Sequence, residues 1–369
     1  MIRLGDVVKV QAGQAAPKEF SADGLPFIRA GHLEDLIKGG SLDELPKITD
    51  EIATQKKLKL LPQGSILFAK SGMSATKDRV YVTDKRTYFV SHLAAILPSK
   101  TFDTLYLAYY LKWFKPSTLI IDEAYPSIRL SDISDLKIPL PPLAEQQKIA
   151  EILDAADSLR QKDQQLIDHY TTLSQSLFLE MFGDPVTNPM GWDKKHFLDV
   201  FNVTTGKLDS NAASDTGNYP FFTCAKEELK INTYSYDHEA LLLAGNNAAG
   251  IFDVKYYKGK FDAYQRTYIL TIKEDGLIYP FMKIALEKKL KDLQRLSIGS
   301  STQYLTMKIL GRLDFFIPLI SIQNQFAKRI EAIETQKQQA QASLEKSNDL
   351  FNSLLQRAFN GELTGSKAA

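Results

Sequence analysis

The sequence predicts an α+β protein written twice: two repeated α+β domains joined by two long antiparallel coiled-coil helices in a pseudo-two-fold arrangement. Three observations predict it. Strand-like segments recur in the same order in both halves, two helical segments match at one fixed offset, and each of those helices is too long to pack within one small domain. Composition agrees, since 369 residues with 44% hydrophobic and 24% charged side chains suit a folded chain of two to three domains, not a disordered one.

The first copy opens with Leu4 to Gly13 (LGDVVKVQAG) and the second with Phe197 to Gly206 (FLDVFNVTTG), each an apolar strand pattern closed by glycine. Gly24 to Gly31 (GLPFIRAG) is echoed by Asn218 to Ala225 (NYPFFTCA), and Gly64 to Gly72 (GSILFAKSG) by Glu239 to Asn247 (EALLLAGNN). Further strands are expected at Ser65 to Lys70, Arg79 to Thr83 and Arg266 to Ile272. One helical stretch is expected in each copy, near Leu105 to Phe114 and Pro280 to Leu293. Both copies reach Ile-Pro-Leu, at Ile138 and Ile317, where the strand period gives way to a helical one.

Helices are predicted from Glu145 to about Phe182 and from Gln323 to about Phe359. At an offset of 177, Leu153 matches Ile330, Leu177 matches Leu354 and Phe182 matches Phe359. The first helix carries a three-four apolar spacing through Ile149, Ala156, Asp163, Tyr170 and Leu177, and the second through Ile330, Lys337, Leu344, Phe351 and Ala358. At about 1.5 Å per residue each helix is nearly 60 Å long, so the natural partner of one is the other, and Asp163 is expected to meet Lys337 as a register-setting ion pair. Met181 to Trp192 reads as helix stop and linker, and Asn360 to Gly365 as the second stop. The resulting segments are 1–140, a first helix and linker 141–185, 186–320, and a second helix and tail 321–369.

The net charge of +1 hides a division. Segment 1–140 carries +3, 141–185 carries −5, 186–320 carries +2 and 321–369 carries +1, so contact with a polyanion belongs on the two large blocks. The single Cys224 excludes an internal disulfide, no segment has the run of roughly 18 apolar residues that a membrane span needs, and a cytoplasmic location is the expectation.

Reactive motifs are sparse. There is no GxxxxGK[ST] loop, no GxGxxG and no HExxH, and His32, His92, His169, His196 and His238 lie far apart in sequence, so no metal site and no catalytic group is expected. Binding chemistry is better represented. Residues 55–86 hold eight cations against two acids, among them Lys56, Lys57, Lys59, Lys70, Lys77 and Arg79, and the stretch from Lys70 to Arg79 adds the hydroxyls of Ser71 and Ser74. In the second copy Lys255, Lys258 and Lys260 alternate with aromatics including Tyr257. Gln265 and Arg266 are residue types that form bidentate contacts with adenine and guanine, and Asn246, Asn247, Thr302 and Gln303 are further polar candidates. A hairpin tip in water and a strand with one wet face are the competing structural readings.

Ile138-Pro-Leu-Pro-Pro-Leu-Ala-Glu-Gln-Gln-Lys-Ile149 leading into a long helix, its echo from Ile317 to Phe326, and the helix ends MFGDP and FNGEL resemble the DNA specificity subunit of type I restriction-modification systems across essentially the whole chain. The second copy departs from the motif, with Asn324 read against Glu145 and no second proline. The resemblance implies two target recognition domains that each read half of a split duplex DNA sequence, and no catalysis by the chain itself. The implied partners are two modification subunits carrying S-adenosylmethionine and, in a full complex, motor-nuclease subunits. It further implies that the helices dock those subunits, with Gln146, Ile149, Leu153, Leu173, Leu177, Gln325, Ile330, Leu350 and Leu354 as the candidate docking residues. Two other readings stay open: the recognition module of a methyltransferase-nuclease fusion system, and a structural coiled-coil scaffold.

Overall fold

A computed structural model describes residues 1–185, 187–273 and 275–364; Val186 of the linker and Gly365 of the tail lie outside the described residues. The chain forms two compact units. The first comprises residues 1–165 with 341–364, the second residues 166–340.

In the first unit the strands are β1 (Val10–Ala12), β2 (Leu25–Ile28), β3 (Ile66–Ala69), β4 (Val80–Val82), β5 (Thr87–Phe89) and β6 (Leu93–Ile96). They make two four-stranded sheets. One runs β1-β6-β3-β4, and in the other β2 and β5 lie parallel between Lys47–Ile48 and Leu60–Leu61. Strands β3 and β6 are buried on both faces, as their unbroken apolar sequences Ile-Leu-Phe-Ala and Leu-Ala-Ala-Ile require. Helix α1 (Thr104–Phe114) starts where the Asp103 carboxylate accepts the Tyr106 N–H at 2.9 Å, and it buries Tyr106 through Leu111.

The first long helix, α2 (Leu143–Phe182), follows. The second unit then repeats the plan with β7 (Phe201–Thr205), β8 (Tyr219–Phe222), β9 (Tyr236–Ala244), β10 (Val254–Ala263) and β11 (Thr267–Ile272). These five and Leu229–Ile231 form one six-stranded sheet ordered β7-β11-β9-β10-β8 and Leu229–Ile231. The difference between the copies has a local cause. The unbroken β10 does the work of both β4 and β5, pairing antiparallel with β9 and then parallel with β8, whereas in the first unit the chain bends at Asp84-Lys85 and the sheet divides. Helix α3 (Tyr279–Glu287) packs on β10 as α1 packs on β4. The expected single helix to Leu293 is broken at Lys288-Lys289, and a separate helical turn begins at Leu290.

Each copy closes on itself before its long helix. Ile2 pairs with Ile138 in the first, and Asp193 pairs with Ile317 in the second, so the Ile-Pro-Leu segments leave from an antiparallel strand pair. The second long helix, α4 (Ile320–Phe359), has 40 residues, as does α2.

Within the first unit the early part of α2 meets the late part of α4 antiparallel. Moving from Glu145 to Arg160 to Asp163 along α2, the partners step back from Thr364 to Phe351 to Ser347. The buried Asp163 carboxylate is therefore engaged by the Ser347 hydroxyl, not by Lys337 as the heptad spacing suggested, because the seam register differs from the one read off sequence. Within the second unit Phe178 and Phe182 of α2 pack on Phe326 of α4, with ring centroids 5.9 and 5.1 Å apart.

Candidate nucleic-acid interface

Both copies place polar side chains on a corresponding loop, between β5 and β6 in the first unit and between β10 and β11 in the second. In the second unit this is the β10–β11 tip, Tyr264-Gln265-Arg266, with Gln265 and Arg266 exposed. The Arg266 guanidinium lies over the Tyr304 ring at 5.5 Å, and the residue remains exposed. Gln265 donates from Nε2 to Asp209 at 3.0 Å. Asn246-Asn247 and Gln303-Tyr304 form a two-residue antiparallel pair beside this tip, so segments almost sixty residues apart converge there.

Several candidates already have partners within the protein. Asn247 accepts the N–H groups of Ala249 and Ile251 and so builds its own turn. Gln303 bonds Gly299 and Ser297. The Lys255 ammonium, half-buried and with its pKa pushed down by desolvation, donates to the Ala225 carbonyl at 2.6 Å. Tyr257 packs on Phe222 and Phe261, facing the smaller apolar cluster. Lys258 lies 3.8 Å from Glu239, and Lys260 sits over the Tyr234 ring at 4.5 Å. Asn246 and Thr302 are half-buried and have no side-chain hydrogen bond among the described residues.

In the first unit the cations divide. Lys56, Lys57 and Lys77 are exposed and carry no ion pair among the described residues, while Lys70 and Ser74 are half-buried. The Lys59 ammonium donates to the Ala12 carbonyl at 3.2 Å, and Lys85 pairs with Asp43 at 2.6 Å. Arg79 is not part of a free basic stripe: it pairs with Glu34 and lines a groove with Lys112, Arg160 and Phe351 against the helices. Ser71 holds the ring of His92, its Oγ 2.8 Å from Nδ1. Tyr125, 81% exposed, belongs to the segment that Gly72 N–H and the Ser71–Ser127 bridge hold against this loop; nothing in the sequence around it signalled that position.

The candidate docking residues need correction. Gln146, Ile149, Leu153, Leu177 and Ile330 are buried in the cores of their own units and present almost no surface, while Leu354 is half-buried. Leu173 and Leu350 are exposed at 40% and 47%, and Gln325 is exposed. Gln146 fastens the helix start: its Oε1 accepts the Asp103 N–H at 2.9 Å, and its Nε2 donates to the Pro141 and Thr101 carbonyls. The residue in the same role in the second unit is Gln323, which accepts from Ile278 N–H and donates to the Pro318 and Gly276 carbonyls. Gln146 thus corresponds to Gln323, and Glu145 to Ile322 rather than Asn324; the second copy lacks two residues between Ile-Pro-Leu and the helix. The signal was the offset of 177 itself, carried seven residues back from Leu153.

Sequence reasoning also missed a cluster built from distant segments. Lys194, Lys289, Arg295 and Arg312 line one cavity of about 400 Å³ in the second unit, with Asp292 and Asp314 among them. Asp292 pairs with Arg295, and Asp314 takes His196 at 2.5 Å. Among the described residues no three His, Cys, Asp or Glu side chains converge as metal ligands, and no helix is long and apolar enough to cross a membrane.

Such a molecule falls in the class of duplicated α+β proteins in which each copy carries a polar strand-to-strand loop and leads into a long helix. The profile of the type I restriction modification DNA specificity domain matches residues 1–168 and again 189–346. The chain belongs to this family. It is 35% identical over 181 residues to the type I restriction enzyme EcoDI specificity subunit of Escherichia coli, covering 48% of this chain and 39% of that protein. It is 22% identical over 400 residues to the MjaVIII specificity subunit of Methanocaldococcus jannaschii, covering 96% and 91%. The chain spans 39% and 34% of the length of two relatives it matches, the EcoDI subunit and the MjaIX subunit of Methanocaldococcus jannaschii. Its fold is similar to the crystal structure of a type I restriction-modification S subunit from M. genitalium, with a TM-score of 0.65 at 17% identity over 97% of this chain and 95% of that one.

Proposed function

We propose that this chain is a non-catalytic specificity subunit that reads a bipartite duplex DNA target, one half-site per unit, and directs adenine methylation by two partner methyltransferase subunits. The observation that carries this reading is that the two family matches fall on the two units, and that each unit carries exposed polar side chains on the corresponding strand-to-strand loop. Lys56, Lys57 and Lys77 supply phosphate contacts, Arg266 supplies a major-groove contact, and exposed helix residues such as Leu173 and Leu350 supply the partner surface. S-adenosylmethionine belongs to the partners, motor-nuclease subunits join in a full restriction complex, and the work is done in the cytoplasm, where the chromosome is.

The test is co-expression with the cognate methyltransferase in a methylation-free host, followed by mapping of modified adenines by single-molecule sequencing. A split motif with a fixed gap is expected. Weak DNA binding that ignores sequence, with no methyltransferase complex, would establish the scaffold reading instead, and a methyltransferase active only as part of a nuclease fusion would establish the fusion-system reading.

A further inference from the structure

The backbone around Arg266 is repeated in the first unit around a residue of different chemistry. At the β10–β11 tip, Tyr264 N–H bonds Phe222, Gln265 N–H bonds Leu208, Gly245 N–H bonds the Arg266 carbonyl, and Leu305 N–H bonds Gly245. At the β5–β6 tip, Val90 N–H bonds Ile28, Ser91 N–H bonds Gln14, Lys70 N–H bonds the His92 carbonyl, and Ile128 N–H bonds Lys70. Four bonds of one frame therefore equate Ser91-His92 with Gln265-Arg266.

Two glycines confirm the equivalence independently. A Cβ on Gly13 would lie 2.1 Å from the Phe89 carbonyl oxygen, and one on Gly206 would lie 2.0 Å from that of Ala263, so each strand that passes under a tip needs glycine at that point. Phe89 and Ala263 hold the same place in the parallel pairing of their units, opposite Ile28 and Phe222.

His92 is exposed, and its ring is held on one side only. Ser71 Oγ lies 2.8 Å from Nδ1, and Nε2 meets no protein partner among the described residues. An imidazole fixed through one nitrogen presents the other outward in a set direction. With the Ser71 hydroxyl donating to Nδ1, Nε2 carries the proton and matches the O6 and N7 acceptors of guanine; with Nδ1 as donor, Nε2 accepts and matches an exocyclic amino group.

Resting on the reading of this chain as a specificity subunit, we propose that His92 is the specificity-determining residue of the first unit, the counterpart of Arg266 in the second, and that Ser71 is its positioning residue. A shared frame that carries different side chains lets one fold read different bases.

The experiment is selection from random duplex DNA by the chain in complex with its cognate methyltransferase, read by sequencing. His92→Ala is expected to lower preference about tenfold or more at one or two positions of one half-site, with the other half-site retained. Arg266→Ala is expected to relax the other half, and Ser71→Ala to weaken the positions that His92→Ala affects. His92→Gln, which keeps a polar group, is expected to change the preferred base rather than erase the half-site. An unchanged motif for His92→Ala, relaxation of the same half by both tip variants, a uniform loss of affinity across sequences, or erasure of the whole half-site by His92→Gln would each overturn the assignment. A wild-type complex that enriches no bipartite motif would overturn the functional reading beneath it, which separates the two failures.

Discussion

The side-chain oxygen of Gln146 accepts the backbone N–H of Asp103 at 2.9 Å, and that one contact ties the start of a long helix to the start of a short one. Asp103 caps α1 and Gln146 stands in the first turns of α2, so the amide of one residue satisfies groups that two helix ends and a loop would otherwise bury unpaired. Gln323 does the same in the second unit. Gln146→Leu removes all three bonds, leaves a donor and two carbonyls unsatisfied, and is expected to cost about 2 to 4 kcal/mol. Gln146→Glu is expected to be no milder, because an oxygen then faces the Thr101 and Pro141 carbonyls where Nε2 donated. Chemical denaturation of both variants checks this, and a loss below 1 kcal/mol in each would contradict it.

Much of the fold was legible in the sequence because duplication writes the same physical constraints twice. Gly13 and Gly206 closed the same strand pattern, and the structure gives the reason in the carbonyls of Phe89 and Ala263. The helix seam was legible as apolar spacing, but its register was not: Asp163 and Lys337 look complementary in charge, while the partner the fold brings to the buried carboxylate is the Ser347 hydroxyl. The candidate interface was less legible. Counting cations cannot show that Arg79 is paired with Glu34, Lys85 with Asp43 and Lys255 with a carbonyl, since those partners are 45, 42 and 30 residues away. His92 was invisible because its likeness to Arg266 lies in backbone hydrogen bonds rather than in residue type.

Asp163 and Ser347 are both buried, which makes the pair suitable for a double-mutant cycle. Ser347→Ala leaves a carboxylate in the seam without its donor and is expected to destabilise by about 2 kcal/mol. Adding Asp163→Leu to that variant is expected to recover most of the loss, since an apolar pair of similar size needs no partner. Additive losses in urea unfolding would show that the two residues are not coupled.

Asp157 gives a pH dependence with a definite sign. Burial opposes its ionisation, but Lys112 at 3.0 Å and Arg160 at 2.6 Å hold its carboxyl below the usual range. A carboxyl depressed in the folded state stabilises fully above its unfolded pKa, about 3.9, and the contribution is lost as pH falls through the folded value. Asp157→Asn is therefore expected to be less stable than wild type at pH 7, with the gap narrowing below about pH 4. Midpoints of urea unfolding at pH 7 and pH 3 check it, and a gap that stayed constant would sink the argument.

Gly206→Ala tests whether the tip geometry, as distinct from the tip side chains, matters for recognition. The added carbon must displace the Ala263 and Tyr264 carbonyls, which would meet it at 2.0 and 2.4 Å, and these lie next to Gln265. Selection from random DNA is expected to show the half-site read by the second unit blurred at several positions while the other half stays sharp. Equal blurring of both would mean that the glycine serves general stability alone.

Lys56, Lys57 and Lys77 separate affinity from specificity. Each is exposed and has no ion-pair partner among the described residues, so its ammonium is available to a phosphate without first breaking a protein contact. Neutralising one phosphate contributes about 0.9 to the slope of log binding constant against log salt, and it carries no base information. Each lysine-to-alanine change that removes a phosphate contact is thus expected to reduce that slope by about one and to weaken all sequences alike, leaving the selected motif as it was. Lys85→Ala is the control, because the Lys85 ammonium is already held by Asp43 at 2.6 Å and should contribute little to the slope. Binding isotherms over a salt series on cognate and scrambled duplexes distinguish the cases: a slope unchanged in all three variants, or a motif altered by any of them, would remove these lysines from the phosphate-binding face.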